Sequence, residues 1–246
     1  MFDNTDCFES MVLLQQYLIT NNNEATIMAA RKSPLLNICF FALAFNGFYA
    51  SSALAADAPA PNPNFNYIQN GQAVTGWGLQ LGDPENWSMP LESNSKGKSA
   101  AGKVVVEPID FKANGDALKI VWKSNKSIKG VFAIGGAPID LSKFENEGAL
   151  VFDIRLDTKP DKDVTIGMSC GYPCRGEMHV SKILKDLPKD EWTSLPIPLN
   201  CFTKEGLDIK KVSGPFDINT EGKLGLSITN VRLQKLPEGE KGCAKP

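Results

Sequence analysis

The sequence predicts an all-β protein: an antiparallel two-sheet β-sandwich or jelly roll, of the galactose-binding-domain-like kind, with one or two short helices. Short apolar and β-branched runs recur along the chain, and Gly, Pro, Asn or Asp bounds each of them. Stretches with a helical period are few and short. Runs of this spacing without intervening helices favour two packed antiparallel sheets over an α/β fold.

The N-terminal region divides into two parts before the first of these runs. Residues 28–55 have the pattern of a secretory signal peptide, with Arg31 and Lys32, an apolar run over 35–48, and the small residues Ala53-Leu54-Ala55. We expect cleavage after Ala55 and a periplasmic or extracellular protein. The apolar run has about 14 residues, short of the roughly 20 that span a bilayer, so no stable membrane anchor is expected.

The segments on either side of this signal are expected to lie outside the fold. Residues 1–27 contain four acidic residues and no Lys or Arg, and we expect them to be a non-native or disordered leader, with translation starting at Met28. Residues 56–72, with three prolines, are expected to form an extended linker. The jelly-roll domain is then expected to span 73–236, and a tail to span 237–246.

Seven runs within the domain are predicted to be strands. In the second of them Leu118, Ile120 and Trp122 occupy alternate positions, which is the period of a strand with one covered face. An apolar stripe predicts a helix over 180–187, and a second helical turn is expected after Cys201. The predicted strands cover residues 104–109, 117–123, 130–134, 149–156, 164–169, 192–199 and 224–233.

Charge and histidine content exclude several function classes. The 26 Lys and Arg residues and 28 Asp and Glu residues leave a formal net charge of -2, so the chain lacks the basic excess that a phosphate backbone attracts. Nucleic acid is therefore not an expected partner. Because His179 is the single histidine, any catalytic pair with an imidazole depends on it, and a zinc site with two imidazoles is excluded.

Four cysteines follow the predicted cleavage site, an even number that favours disulfides in an exported chain. Three pairings are possible. The turn at 171–173 favours Cys170 with Cys174, which leaves Cys201 with Cys243 to tie the tail to the domain. The alternative is zinc held by Cys170, Cys174, His179 and Cys201, which the spacing and an oxidising compartment disfavour.

One motif and several shorter matches carry a family resemblance. The string CGYPCRGE at 170–177 is the specific one, and weaker matches occur at 77–123, 192–202, 214–216 and 224–233. Together they cover nearly all of the predicted domain. In these segments the chain resembles the C-terminal domain of ExoP-type exo-β-glucanases of glycoside hydrolase family 3.

The resemblance implies a galactose-binding-like jelly roll that accompanies a catalytic barrel acting on β-glucans. This chain has no room for that barrel or for the family's second α/β domain, so their catalytic aspartate and glutamate have no counterpart. We therefore expect no enzyme activity and no required cofactor. The expected function is a secreted carbohydrate-binding module for β-glucan or a related glycan, and a separate glycoside hydrolase is a possible partner.

A sugar-binding surface needs aromatic rings for the apolar sugar face and polar side chains for the hydroxyl groups. Trp87 lies in a turn-rich stretch and is a surface candidate, and Trp192 is another candidate, with a packing role as the alternative; Trp122 is expected in the core. The best single cluster is on a predicted loop and consists of Tyr172, Arg175, Glu177 and His179.

The same cluster has a purely structural alternative. In it the disulfide loop is a staple, Arg175 and Glu177 form a solvated ion pair, and His179 caps the helix at 180–187. A structural Ca²⁺ is also possible in a jelly roll, although the sequence has no calcium-loop signature. The available oxygen donors, none of them assigned, are Asp83, Glu85, Asp110 and Asp116.

Two other function classes remain open. A jelly-roll glycosidase or polysaccharide lyase would need paired carboxylates, for which the chain offers Glu145 with Glu147 and Asp153 with Asp157. A structural domain that docks onto a separate glycoside hydrolase would instead need an exposed apolar patch.

Overall fold

The chain folds into two six-stranded antiparallel sheets packed face to face, which confirms the predicted all-β sandwich. The computed structural model describes residue 62 and residues 64–91, 96–124 and 127–243. Within these ranges the strands, in chain order, are β1 (Ile68–Gln69), β2 (Gln72–Ala73), β3 (Trp77–Asp83), β4 (Asn86–Pro90), β5 (Gly97–Lys98), β6 (Val104–Ile109), β7 (Ala117–Trp122), β8 (Gly130–Gly136), β9 (Gly148–Thr158), β10 (Val164–Ser169), β11 (Arg175–His179), β12 (Trp192–Pro198), β13 (Gly214–Thr220) and β14 (Leu224–Lys235).

One sheet has the strand order β11-β10-β13-β8-β3-β4 and is called the β13 sheet below. The other has the order β12-β9-β14-β7-β6-β5 and is called the β14 sheet; β1 and β2 form a separate hairpin. The helices of the described residues are α1 (Ser181–Asp186), which matches the prediction over 180–187, α2 (Leu199–Lys204), and two 3-10 turns at Ser142–Phe144 and Ile209–Lys211.

Alternating apolar side chains from the two sheets fill the space between them. Trp122 on β7 is 1% exposed, as its alternation with Leu118 and Ile120 predicts, and its indole nitrogen donates to the carbonyl oxygen of Gly130 at 2.9 Å. Phe216 of the β13 sheet contacts Phe152 of the β14 sheet with ring centroids 5.1 Å apart. This core holds the sheets together and leaves their outer faces to solvent.

Several strands lie where the sequence did not predict them, notably β3, β4, β11 and β13. The segment Arg175–His179 was predicted to be a loop, and that prediction is wrong: it is edge strand β11, paired with β10 along its whole length. Glycine and charged residues lower its intrinsic preference for a strand, and pairing with a neighbouring strand overrides that preference.

The N-terminal part of the domain packs earlier than expected. Tyr67 and Ile68 fall inside the expected linker at 56–72, yet they are 0% and 1% exposed. The Tyr67 backbone N–H donates to the Val231 carbonyl at 2.8 Å, and burial raises the pKa of the Tyr67 hydroxyl. The expected leader at 1–27, signal peptide at 28–55 and cleavage after Ala55 lie outside the described residues.

Two disulfides form with the favoured pairing. Cys170 pairs with Cys174 across a Cα–Cα distance of 5.2 Å, and Cys201 pairs with Cys243 across 4.9 Å. The zinc alternative is therefore wrong, because its three sulfurs are in disulfides. Among the described residues no cluster of three or more His, Cys, Asp or Glu side chains could hold a metal ion.

The tail packs onto the domain near the second disulfide. Cys243 is buried, and its backbone N–H donates to Asn200 Oδ1 of α2 at 2.9 Å. Leu236 joins Ala149 and Val151 in a small apolar cluster on the outer side of the β14 sheet. None of the helices in the described ranges has the length and apolarity of a membrane span.

Candidate functional site

The outer face of the β13 sheet carries a row of side chains that crosses five strands. The register aligns Glu177 of β11 with Gly167 of β10, then Asp217 of β13, Ala133 of β8 and Gln80 of β3. Directly paired residues point to the same side of a sheet. Their neighbours in sequence, Ile166, Ile218, Phe132 and Leu81 among them, are buried in the core, so this row faces outward.

A second row lies beside the first. It aligns His179, Thr165, Asn219, Val131 and Gly82 on the same five strands. We call the two rows, together with Arg175, the polar face. In the first row the polar side chains alternate with the small residues Gly167 and Ala133, whereas in the second row three polar side chains are followed by Val131 and Gly82.

Gly167 shows why small residues are needed in this face. A Cβ atom on Gly167 would lie 2.5 Å from Arg175 Nη2 and 2.8 Å from Asp217 Oδ2. The missing side chain therefore lets the Arg175 guanidinium lie across β10 and reach Asp217 on the next strand. Val or Thr at position 167 would fill that space.

Arg175 is the hub of a charged hydrogen-bond network on the polar face. Its Nη2 donates to Asp217 Oδ1 at 2.6 Å and lies 3.0 Å from Glu177 Oε2. Asn219 Nδ2 donates to the same Asp217 oxygen at 3.3 Å, and Thr165 Oγ1 donates to Glu177 Oε2 at 3.4 Å. Arg175 Nε is buried and lacks a hydrogen-bond partner within the described part of the chain.

The solvated-ion-pair alternative for Arg175 and Glu177 is therefore incomplete, because the main partner of Arg175 is a third residue. The Asp217 side chain is 9% exposed. Burial raises the pKa of its carboxyl, while the charge of Arg175 and the hydrogen bond from Asn219 act in the opposite direction. The cluster thus holds a carboxylate in a poorly solvated place by surrounding it with donors.

A cleft of about 280 Å³ opens at the His179 end of the polar face. His179 Nδ1 and Asp163 Oδ2 are 2.6 Å apart, and Ser181 Oγ donates to Asp163 Oδ1 at 2.6 Å. Burial would raise the pKa of Asp163, but the hydrogen bonds from Ser181 and His179 outweigh it and hold that pKa below its usual value. The residues that line the cleft are Lys129, Lys162, Asp163, Thr165, Glu177, His179, Asn219, Thr220 and Glu221.

His179 does not cap α1, so that part of the structural alternative is wrong. The residue at the N-cap position is Val180, and no side chain caps the helix there. His179 belongs instead to the outward side of β11, where its ring is directed to Asp163. The histidine is thus a lining residue of the cleft.

Two large aromatic side chains stand free at opposite edges of the β13 sheet. Tyr172 is fully exposed on the disulfide loop that precedes β11, and Trp87 is 56% exposed on β4. Five strand spacings separate these edge strands, which corresponds to about 24 Å. Trp87 lies on strand β4, and its predicted exposure at the surface is confirmed.

Trp192 lies on the other side of the molecule. It is paired with Arg155 of β9 on the β14 sheet, whose guanidinium carbon is 5.5 Å from the indole centroid. Phe111 contacts the same indole with centroids 4.7 Å apart. Trp192 therefore does not join the other candidates, and both of its ring neighbours indicate a packing role.

One of the two carboxylate pairs considered for catalysis, Asp153 with Asp157, is already engaged in hydrogen bonds. On β9, Asp153 accepts from Ser194 and from Asn230 Nδ2, and Asp157 accepts from Arg155 Nε at 2.8 Å and from Ser227 at 2.9 Å. These bonds would compete with any catalytic use of the pair.

Three of the four possible calcium donors, Asp83, Asp110 and Asp116, also have partners. Asp83 accepts backbone hydrogen bonds from Glu85 and Ala101, Asp110 accepts from Gly115, and Asp116 accepts from residues 111, 112 and 113. Each of these three carboxylates closes a loop through its main chain.

The structure thus brings together three of the predicted candidates, Arg175, Glu177 and His179, with Tyr172 on the adjoining loop. Sequence reasoning missed Asp217, Asn219, Gln80 and Thr165. A signal was present in β13, where Phe216 and Ile218 alternate with Asp217 and Asn219, but the run was too polar to be predicted as a strand.

Comparison with known proteins gives one family and several similar folds. A family model described as galactose-binding domain-like (Exop_C) matches residues 76–233. Exo-1,3/1,4-β-glucanase (ExoP) from a Pseudoalteromonas species is similar in structure with a TM-score of 0.60 and 16% identity, over 75% of this chain and 22% of that enzyme. The chain therefore spans about a fifth of the length of that enzyme.

Two smaller structures match over nearly their whole length. The extra C-terminal domain of the same enzyme has a TM-score of 0.57 and 17% identity, over 72% of this chain and 99% of that domain. A family 30 carbohydrate-binding module has a TM-score of 0.50 and 14% identity, over 73% of this chain and 92% of that module. Among curated protein sequences, none matches this chain significantly.

Proposed function

The chain belongs to the galactose-binding domain-like Exop_C family, and from this membership we propose that it is a non-catalytic carbohydrate-binding domain whose polar face binds a β-glucan or a related glycan. The observation that carries the proposal is the outward row Glu177, Gly167, Asp217, Ala133 and Gln80. In this row the small residues Gly167 and Ala133 separate the hydrogen-bonding side chains on a continuous sheet surface.

Such a surface fits the chemistry of a sugar chain. Carboxylate, amide and guanidinium groups accept from and donate to hydroxyl groups, and their mutual hydrogen bonds fix their orientation before a ligand arrives. A polar chain lying on the face would exchange its water for these fixed partners.

The exposed aromatic residues suit the apolar side of sugar rings. Tyr172 and Trp87 stand at the two edges of the sheet, where each ring can pack against one sugar while the polar face binds the units between. An aromatic side chain loses little rotamer freedom on binding. The disulfide also restricts the backbone of the loop that carries Tyr172, which lowers the entropy cost of binding further. Trp192 is assigned to packing in this proposal.

The ligand class is inferred from the similar proteins. The full enzyme that resembles this chain is named for action on 1,3- and 1,4-linked β-glucan, and the module of similar fold is named as carbohydrate-binding. Two disulfides suit an oxidising compartment, which supports a periplasmic or extracellular location. A separate glycoside hydrolase is the partner such a domain would bring to its substrate.

The test is isothermal titration of the protein with soluble β-1,3, β-1,4 and mixed-linkage glucans, with analysis of the same mixtures for new reducing ends. We expect heat of binding with at least one glucan and no released oligosaccharide. Glu177→Ala should weaken binding about tenfold or more, as expected for loss of about 1.5 kcal/mol of charged hydrogen bonding.

The matched control is Lys119→Ala on the β14 sheet. It removes the ion pair of Lys119 with Glu107, as Glu177→Ala removes the ion pair of Arg175 with Glu177, and it should leave glycan binding unchanged. Absence of heat with every glucan would contradict the proposal and favour a docking role. Released oligosaccharide would show that the protein is an enzyme.

A further inference from the structure

Lys103 is a fully buried lysine, with 0% exposure, at the point where three turns of the chain meet. Its ammonium nitrogen donates to the carbonyl oxygens of Lys123 at 2.7 Å, Glu221 at 2.7 Å and Gly222 at 3.0 Å. An ammonium group has three hydrogens, so each can bond to one of these carbonyls. The acceptors come from the residue after β7 and from the turn between β13 and β14.

The surrounding residues are shaped to admit this side chain. A Cβ atom on Gly130 would lie 2.6 Å from Lys103 Cγ and 2.6 Å from Val104 Cγ2, so the stem of Lys103 passes over a glycine of β8. A buried charge is costly unless fixed polar groups replace its water. Here main-chain dipoles do so, and the nearby charges of Asp161 and Glu221 favour the ammonium while that of Lys162 opposes it.

Within the described part of the chain, three carbonyl oxygens surround one positive centre and form a cation site. The distances from Lys103 Nζ to the carbonyl oxygens are 2.7–3.0 Å. Ca²⁺ binds its oxygen ligands at about 2.3–2.6 Å and takes about six to eight of them. Backbone carbonyls replace the hydration shell of K⁺ in selective sites. The carbonyl set therefore suits a monovalent ion of the ammonium or potassium class.

We propose that the carbonyls of Lys123, Glu221 and Gly222 form a monovalent-cation site that the protein fills with its own Lys103 ammonium, and that this internal cation positions one wall of the cleft. Glu221, which lines the cleft, belongs to the turn whose carbonyls Lys103 binds, and Thr220, the last residue of β13 and also a lining residue, directly precedes that turn. Lys103 is thus a positioning residue.

Other hydrogen bonds also stabilise the turn between β13 and β14, but they involve its backbone N–H groups. Lys223 N donates to Asp161 Oδ1 at 2.7 Å, and Gly222 N donates to Thr220 Oγ1 at 3.0 Å. Both bonds hold the amide side of the turn. Lys103 holds its carbonyl side, where the oxygens would repel one another without a cation.

The experiment compares the thermal unfolding of wild-type protein and Lys103→Ala in equal concentrations of ammonium, potassium, sodium and calcium chloride, and of choline chloride as the ionic-strength control. Lys103→Ala keeps the three carbonyls and opens the space that the side chain filled. We expect its Tm to lie several degrees below that of the wild type and to rise in ammonium and potassium chloride beyond the rise in choline chloride.

The matched variant is Lys103→Met, which fills the space but carries no charge. It should lose stability and gain nothing specific from ammonium. If Lys103→Ala does not fold in sodium chloride, the yield of folded protein on refolding in ammonium chloride replaces Tm as the readout. Amide NMR signals of Glu221 and Gly222 should shift in Lys103→Ala and return toward their wild-type positions with ammonium.

The outcomes separate clearly. Equal stabilisation by all salts, or equal gains for wild type and both variants, would overturn the cation site. Preferential rescue by calcium would overturn the monovalent assignment. Rescue of Tm without return of the amide signals would overturn the positioning role. None of these readouts uses a glycan. The test of this inference is therefore independent of the proposed binding function.

Discussion

Arg175 of β11 reaches across β10 to place its Nη2 atom 2.6 Å from the buried carboxylate of Asp217 on β13. The two residues are 42 positions apart in the chain, and Gly167 lies between them with no side chain in the way. This pair ties the edge strand to the middle of the sheet. It also fixes the charged groups from which the proposed binding surface is built.

Loss of Arg175 should destabilise the protein in a pH-dependent way. Arg175→Met leaves the Asp217 carboxyl buried without its cation, so its pKa, already raised by burial, should rise further. At pH 7 we expect a loss of about 2 kcal/mol in the free energy of unfolding. Urea unfolding at several pH values measures it.

The sign follows from linkage. A carboxyl whose folded-state pKa exceeds its unfolded value of about 4 binds more protons when folded, so stability falls as pH rises through that window. The deficit of Arg175→Met should therefore be smaller at pH 4 than at pH 7. The added change Asp217→Asn should restore part of the stability at pH 7. A deficit that does not depend on pH would contradict this account of the pair.

Gly167→Ala should mimic loss of Arg175. The new methyl group would occupy the path of the guanidinium, and the flexible arginine would move away and lose its bond to Asp217. We expect a cost of about 1–2 kcal/mol and weaker glycan binding. The cost should be smaller in the Arg175→Met background, where the close approach of the new Cβ to Asp217 Oδ2 at 2.8 Å remains. A double-mutant cycle by urea unfolding tests this.

Gly78→Ala is the control for that experiment. Gly78 lies on β3 of the same sheet, and the nearest atom to its Cβ position would be 3.9 Å away. The substitution should therefore change stability by less than about 0.5 kcal/mol. Equal effects of the two alanines would show that glycine is needed for general strand packing and not for the path of Arg175.

The two disulfides should differ in what they contribute. In the chain-entropy account, the Cys201–Cys243 link, with a separation of 42 residues, contributes about 4 kcal/mol, and the Cys170–Cys174 link, with a separation of 4, about 2 kcal/mol. Paired Cys→Ser variants, compared by urea unfolding, should follow that order for stability.

Glycan binding should follow the opposite order, because the short loop carries Tyr172 beside Arg175. Cys170→Ser with Cys174→Ser should weaken binding more than Cys201→Ser with Cys243→Ser, measured by titration at a temperature where both are folded. The reverse order would remove Tyr172 from the proposed site.

Asp116 should make the protein more stable above its pKa than below it. Burial would raise that pKa, but backbone hydrogen bonds from Phe111, Lys112 and Ala113 outweigh it and lower the pKa. A carboxyl with a lowered folded-state pKa contributes stability above its unfolded pKa of about 4 and loses it as pH falls through the folded value. Asp116→Asn should therefore be less stable than wild type at pH 7 and approach it in acid.

The measurement is thermal unfolding of both proteins from pH 7 down to pH 3. A gap in Tm that widens on acidification would contradict the assigned role of these hydrogen bonds. The Phe111 contact with Trp192 gives a second readout, since tryptophan fluorescence should change in Asp116→Asn at pH 7.

The sequence predicted most strands whose apolar residues alternate, but it missed β3, where Trp77, Leu79 and Leu81 alternate with Gly78 and Gln80. Leu118, Ile120 and Trp122 identify β7 because nothing interrupts their period. β11 and β13 escaped prediction because charged and small residues occupy their outward positions, and these are the residues that form the candidate site. The same charged and small residues that suit a polar binding surface therefore prevented the prediction of β11 and β13 as strands.

The grouping of site residues depended on register, which the sequence does not encode locally. Arg175, Glu177 and His179 alternate along the chain, so their common side could be expected once β11 is known to be a strand. Asp217 joins them only through the pairings of β11 with β10 and of β10 with β13. A shift of one residue would have turned Asp217 into the core. Trp192 did not join them for a different reason: its strand, β12, belongs to the β14 sheet.

The most direct test of the proposed binding surface is amide chemical-shift mapping by NMR during titration with the glucan oligosaccharide that binds best. The account predicts shifts on the polar face, at Gly167, Glu177, Asp217 and their row neighbours, and little change on the β14 sheet around Trp192. Shifts centred on Trp192 and Arg155 with a silent polar face would contradict it.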